Sequence, residues 1–398
     1  MYRVLYRRPL FNLNISRYYS TKKNELIDHL KKSIRETGPI SIAQYMREVL
    51  TNSLSGYYMT GDVFGRQGDF VTSPEISQIF GELMGIWFLT QWQSQGKPDK
   101  IQVVELGPGR GTLLYDMLNA ISSFSDCSRS ICEVHLIEIS SKLREIQYKK
   151  LCCSSKKFDG LNFFWHDSFN KIPDKWSMII AHEFFDALPI HLFECTSNGW
   201  REVLVDIDDT KNSLYNFRLI VASGPTKAST ALTGSLAYKT FKIGDRIEIS
   251  SDSMEISKQI ANYIKSNGGV SLIIDYGQDF IQGNTLRAIK QHEIIHPLSE
   301  PGQADLSADV NFCYLKESVT NLVDAYGPIT QSKFLQSLGI KARLLMLLKS
   351  ALPTKHKDLI SSTERLVHPS AMGEIYKVLA FVPKGSLKVP IAFEKSNN

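Results

Sequence analysis

The sequence predicts an α/β fold: a mostly parallel sheet covered on both faces by helices, with helical additions before and after it. Three observations predict it. From about residue 100, apolar runs of strand length alternate with amphipathic runs of helix length, the order that parallel strands require because each needs a crossover connection. The strands are almost continuously hydrophobic, as in "IQVVEL" at 101–106 and "GVSLIIDYG" at 269–277, which suits burial on both faces. The first of them runs straight into glycine at every second position, Gly107, Gly109 and Gly111, before a helical pattern opens.

The additions come first in the chain. Residues 1–19 carry Arg3, Arg7, Arg8 and Arg17 with hydroxyls and aromatics, and no acid precedes Glu25. That is the composition of a mitochondrial transit peptide, and "RYYS" at 17–20 predicts a cut after Tyr19. With those four arginines set aside from the formal +5, the body is close to neutral, which argues against a nucleic-acid role. A helix over 24–36 follows, then Ser41 and Gln44 in a capping-box spacing, with Ile42, Tyr45, Met46, Val49 and Leu50 on one helical face. Residues 54–74 hold glycines and aromatics with no period, the texture of an ordered loop over a site. A helix is expected from Pro74 to about Trp92.

Strands and helices alternate through the core. "KIQVVEL", "CEVHLIEI", "LNFFWHDSF" and "WSMIIAHEF" are strands, separated by the helical patterns "TLLYDMLNAI" and "SSKLREIQYKKL". "GWREVLVDI" is assigned as a later strand, 206–245 as an irregular insertion, and 255–267 as a helix before "GVSLIIDYG". The segment 277–312 is rich in turn formers, and the C-terminal third, with "FLQSLGIKARLLMLLKSALP", reads as mainly helical. The resulting division is 1–19, 24–98 with the cover loop, 99–280 as the core and 281–398 as a helical lid region. The six cysteines show no metal-ligand spacing, so free thiols are expected and no metal site. No apolar run approaches the roughly 20 residues of a membrane helix.

A bare glycine turn between strand and helix lets a ligand approach the backbone and leaves amides free to meet it. The dinucleotide fingerprint is G-x-G-x-x-G; here the spacing is G-x-G-x-G, with Glu105 two residues ahead. An acid there repels a pyrophosphate and favours the ammonium of a methionyl group, so Glu105, Gly107, Gly109 and Gly111 point to S-adenosylmethionine. A dehydrogenase fits the fold but not this spacing. Glu138 ends the next strand, where a carboxylate accepts from both ribose hydroxyls; a solvated strand-end glutamate gives the same pattern. Asp167, ending the third strand, is placed to accept from the adenine amino group.

"MIIAHEFFDALPIHLF" sets Glu183 and Asp186 at the same sheet edge, beside two phenylalanines. Two carboxylates with aromatics suit a planar cation, and guanidinium in particular. The competing reading is that one of them caps a following helix. His292, Asp305 and Asp309 lie beyond the last parallel strand as secondary candidates for proton removal, or as surface turn chemistry.

With these residues assembled, the chain resembles the MidA family of mitochondrial and bacterial methyltransferases. The matching blocks include "SGYYMTGDVFGRQGDFVTSPEISQIFGE", "VELGPGRGTLLYDML", "HLIEISSKLREIQ", "AHEFFDALPIHLF", "IIDYG" and "PGQADLSADVNF". The resemblance implies a class I S-adenosylmethionine-dependent methyltransferase fold with a family-specific lid, and a mitochondrial matrix location. It also implies symmetric dimethylation of a protein arginine, with a subunit of respiratory complex I as the implied partner. By position it assigns Glu105 and the three glycines to the methionyl part and Glu138 to the ribose. His182 departs from the family's asparagine, and 122–131 and 206–230 also diverge. A methyltransferase for another acceptor, or an assembly factor that binds S-adenosylmethionine for stability, are the alternatives.

Overall fold

The structure is a computed structural model that describes residues 13–60, 72–153, 158–210, 213–234, 241–386 and 388–394. Seven strands, numbered in chain order, form the main path of the principal sheet: β1 (Ile101–Leu106), β2 (Ile131–Ile137), β3 (Asn162–His166), β4 (Ser177–His182), β5 (Gly269–Gln278), β6 (Val323–Thr330) and β7 (Tyr376–Pro383), and a short eighth, Val310–Asn311, pairs parallel with the end of β5. Their spatial order is β3-β2-β1-β4-β5-β7-β6. β1 to β5 are mutually parallel, and β7 runs antiparallel between β5 and β6. The order reverses at β1, between β2 and β4, which opens a crevice beyond the carboxyl ends of these strands.

Alternation along the strands fills two layers. Val103, Ile180 and Leu272 pack with α3 (Gln78–Ser94) and α4 (Thr112–Ile121) on one face. Val104, Ile179 and Ile273 pack with α6 (Ser251–Asn267) and α7 (Phe312–Val319) on the other. α5 (Ser141–Tyr148) follows β2. The helix expected from Pro74 is broken: Ser73–Ile76 makes one turn, Ser77 is extended, and its hydroxyl caps the start of α3 by accepting from Ile79 N–H.

Ahead of the core, α1 runs Leu13–Thr37 and α2 runs Ile42–Thr51. α1 begins well before the expected residue 24, and residues 1–12 of the targeting segment lie outside the described residues. Half of the expected capping box forms, with Ser41 Oγ accepting from Gln44 N–H at 3.0 Å. Most of the expected cover loop, 61–71, also lies outside the described residues.

One strand assignment needs correction. "GWREVLVDI" does not extend the parallel sheet: Gly199–Ile207 belongs to a separate antiparallel sheet with His191–Thr196, Arg246–Ile249, Phe217–Val221 and Ile40–Ser41. The insertion between β4 and β5 therefore starts near residue 191, ahead of 206. Leu192, Val203, Val205 and Phe217 of this sheet bury against Leu26, Leu30, Tyr45, Met46 and Val49 of α1 and α2. The region after 281 is likewise more than helices. It contributes β6 and β7 to the principal sheet and a small sheet of Arg287–Lys290, Glu293–Ile295 and Asp305–Ser307, besides α8 (Gln331–Ser337), α9 (Ile340–Ser350) and α10 (Pro353–Val367).

Candidate active site

β1 delivers Glu105 and then turns through three glycines that all have positive φ: Gly107 at 62°, Gly109 at 52° and Gly111 at 75°. Left-handed backbone excludes most side chains. At Gly107 space excludes them too, because a Cβ there would lie 2.8 Å from Cδ2 of Phe184. Gly111 is the N-terminal flank of α4, so the turn ends on the amides of that helix. Glu105 is only 2 % exposed, and its Oε2 has no hydrogen-bond partner among the described residues. Burial pushes its carboxyl up to about 8, against a smaller pull from Lys150. A buried carboxyl oxygen without a protein donor is a place for a donor-bearing ligand or a water. It faces a crevice shared by the glycine turn, Thr72–Glu75, His182 and Glu183.

Glu138 follows β2, and its N–H extends the ladder to the carbonyl of His166 at 3.0 Å. Its carboxylate accepts from Ser140 N–H at 2.8 Å and from Nε2 of Gln147 at 3.2 Å. Gln147 is completely buried. The same Nε2 reaches the carbonyl of Gly109 at 2.8 Å, and its Oε1 accepts from the Trp165 indole at 2.8 Å. One amide thus ties the acid after β2 to the glycine turn after β1. Burial raises the Glu138 carboxyl, and these donors hold it down.

Asp167 is placed differently. It lies at the rim, 63 % exposed, bound to Arg144 at 2.5 Å and Lys171 at 3.0 Å. The two cations, Lys171 foremost, hold its carboxyl below the usual range. Arg144 also donates to the carbonyl of Glu138 at 2.7 Å. Arg144 thereby links the Asp167 side chain to the backbone of Glu138.

The ends of β4 and β5 carry the second half of the site. His182 closes β4, stacks on Tyr376 and is held neutral by burial, which pushes it down to about 3. Glu183 has φ 48° and keeps the ladder by donating its N–H to Ile274 at 3.0 Å. A positive φ on a non-glycine residue costs of order 1 kcal/mol and concentrates at functional sites. Burial first, then the Asp186 charge, pushes the Glu183 carboxyl up to about 8. Asp186 accepts from the Tyr276 hydroxyl, and burial raises it as well. Among the described residues, Oδ1 of Asp186 is buried without a hydrogen-bond partner, while Oε1 of Glu183 and Nε2 of His182 face each other at 3.5 Å without forming a hydrogen bond. No helix follows Asp186, so neither acid serves as a helix cap.

Beneath them lies Asp275, completely buried at the end of β5. Its Oδ2 accepts from the N–H groups of Phe185 and Asp186 at 3.0 and 3.2 Å, which fixes the loop that presents the pair. Asp305 is 4 % exposed and accepts from Tyr58 at 2.8 Å. Arg287 lies 4.7 Å over the Tyr276 ring and donates to Asp309 at 2.8 Å. Of the three secondary candidates, Asp305 belongs to this acid group and Asp309 holds Arg287. His292 sits exposed at a hairpin turn with φ 65°, away from both. Sequence reasoning does not single out Asp275, Tyr276, Tyr376, Tyr58, Arg287 or Gln147 as site residues.

Comparison with known proteins now decides the family. Residues 83–329 match the family described as "Putative S-adenosyl-L-methionine-dependent methyltransferase". "Protein arginine methyltransferase NDUFAF7, mitochondrial" of Danio rerio is 40 % identical over 392 residues, covering 95 % of this chain and 91 % of the relative. The protein of the same name from Homo sapiens is 39 % identical, covering 91 % and 84 %. The chain belongs to this S-adenosylmethionine-dependent methyltransferase family. A protein from Burkholderia thailandensis solved with S-adenosyl-homocysteine bound shares its fold, with a TM-score of 0.79, 23 % identity, and coverage of 96 % and 97 %.

The residues present fit the family's cofactor. For its amino-acid end, Glu105 Oε2 offers a free buried acceptor and the turn of Gly107, Gly109 and Gly111 a Cβ-free surface. For its ribose, Glu138 offers a carboxylate fixed at the next strand end by Ser140 and Gln147. The parallel sheet flanked by helices is the class I methyltransferase fold that the resemblance implies, and its β6 and antiparallel β7 come from the region read as helical.

Proposed function

We propose that this chain is a mitochondrial matrix enzyme that methylates arginine in a protein, forming symmetric dimethylarginine on a subunit of a respiratory complex. The relatives named above are mitochondrial protein arginine methyltransferases at about 40 % identity across nearly the whole chain. One observation carries the choice of acceptor: two buried carboxylate oxygens make no hydrogen bond among the described residues, Oδ1 of Asp186 and Oε1 of Glu183, the latter 3.5 Å from Nε2 of the neutral His182. They stand in an acid group with Asp275 and Asp305 and are walled by Tyr58, Tyr276 and Tyr376. A guanidinium is planar, permanently charged and rich in donors, and stacks on aromatic rings.

S-adenosylmethionine, when bound, supplies an electrophilic methyl on a sulfonium. The chain's residues do the rest. Glu105 and the glycine turn hold the amino-acid end, Glu138 the ribose, and Asp167 adjoins the base side. Glu183 and Asp186 fix the guanidinium so that one nitrogen is oriented for transfer, the positioning share of the rate. Methylation releases one proton from the guanidinium; burial and the Asp186 charge raise the Glu183 carboxyl to about 8 in the free protein, and the guanidinium charge beside it favours the ionised form that takes this proton.

The test is mass spectrometry of mitochondrial proteins with and without the gene, paired with Glu183→Gln in the purified protein. Loss of dimethylarginine at a defined site, with cofactor binding retained in the variant, is expected. Unchanged dimethylarginine, absent binding of S-adenosylmethionine, or displacement by NAD would overturn the reading.

A further inference from the structure

We infer that the α9–α10 hairpin is a peripheral docking element for an anionic lipid bilayer. Its foot is anchored in the body. Ile340 and Leu366 are completely buried, Gln331 and Ser332 donate to the carbonyls of Leu366 and Val367, and Arg343 forms a two-pronged pair with Glu82 of α3, both contacts 2.8 Å. Towards the tip the burial is lost. Leu345 is 60 % exposed, Met346 62 % and Leu352, in the connection, 70 %. The exposed row along α9 reads Lys341, Leu345, Lys349, and its neighbour reads Ala342, Met346, Ser350. These residues recur at the four-residue spacing of one helix face.

Charge identifies the occupant. From Gly339 to Lys357 the chain has Lys341, Arg343, Lys349, Lys355 and Lys357 and no acid. Those five cations equal the formal excess of the whole chain. Arg343 is consumed by Glu82, and the four lysines are exposed. Exposed apolar side chains thus share this hairpin with four exposed lysines. Large apolar residues enter the headgroup–acyl boundary while long lysine stems extend to anionic headgroups. A spanning helix is not involved, since no described helix is long and apolar enough to cross a membrane.

The experiment is co-sedimentation of the full chain with phosphatidylcholine vesicles and with mixed phosphatidylcholine–phosphatidylglycerol vesicles. Two variants accompany it: Lys349→Gln/Lys355→Gln/Lys357→Gln and Leu345→Ser/Met346→Ser/Leu352→Ser. Binding only to the mixed vesicles is expected. Each lysine near an anionic surface is worth roughly a factor of five, so the first variant binds about a hundredfold more weakly. The second loses binding as well, while both keep the wild-type melting temperature and S-adenosylmethionine affinity. Equal sedimentation with neutral vesicles, or binding unaltered in either variant, would overturn the inference. Capture by polyglutamate beads with no vesicle binding would also overturn it, in favour of an acidic protein partner.

Discussion

Replacing Gly107 by alanine isolates the physical demand of the glycine turn. Two costs arise at once. With φ at 62° an alanine sits in the left-handed region, at about 1–2 kcal/mol. Its Cβ would stand 2.8 Å from Phe184 Cδ2, so the ring must leave its rotamer, at about 1 kcal/mol. The sum is about 2–3 kcal/mol. Gly244 is the internal control: its φ is 93°, but nothing lies within 4 Å of where a Cβ would stand, so only the backbone cost applies. In calorimetry Gly107→Ala should melt about 5 °C below wild type and Gly244→Ala about half as far, at roughly 2 °C per kcal/mol for a chain of this size. Where the turn relaxes in the free protein, cofactor binding must restore it, and titration should find S-adenosylmethionine about ten- to a hundredfold weaker for Gly107→Ala. Gly244→Ala should bind as wild type. Equal behaviour of the two variants in both assays would refute the argument that Phe184 closes on this turn.

Four other perturbations test the site and its supports. Glu183→Gln should lower methyl transfer by about a hundredfold or more, with little change in cofactor affinity, measured as kcat/KM beside a binding titration. Burial raises Glu105 and Glu183 from 4.5 to about 8 in the folded chain, so the folded state holds protons that the unfolded state has released. Stability should therefore fall as pH rises from about 4.5 through about 8, by up to about 1.4 kcal/mol per unit per group, and either glutamine variant should flatten that slope in urea melts. Gln147→Leu removes the donor shared by Glu138 and Gly109; cofactor affinity should drop about tenfold, and unchanged affinity would mean the amide does not hold the ribose carboxylate. Arg343→Met leaves Glu82 buried without its cation and should cost about 2 kcal/mol, recovered in part by adding Glu82→Gln, as urea denaturation of the single and double variants will show.

The core is readable from the sequence because its signals are local. A continuous apolar run marks a strand covered on both faces, and an acid at its end marks the ligand edge; Glu105, Glu138 and Glu183 stand out in that way. The same signal exists in "IIDYG", where Asp275 and Tyr276 lie near the end of β5, yet the sequence shows that block as an apolar strand without marking either residue. Gly199–Ile207 misleads because strand propensity does not name the sheet. Its alternating burial belongs to an antiparallel strand with one face on α1 and α2. β6 is mostly half-buried and contains a Gly-Pro step, which hides it from any periodicity. Asp167 ends its strand as expected, but Lys171, one helical turn later, and Arg144 claim its carboxylate. Tyr58 and Tyr376 reach the acids from more than 200 residues apart in the chain, and no local pattern announces such a meeting.

The place of β7 bears on when this enzyme comes into being. Among the described residues β6 has no sheet partner except β7, and β7 must slot between strands that precede it by dozens of residues. Tyr376, the first residue of that strand, also packs against His182 at the reaction edge. A ribosome that has translated as far as α10 has therefore produced a sheet with an open seam and a catalytic edge lacking one wall. Competence for methyl transfer arrives only with the last few dozen residues.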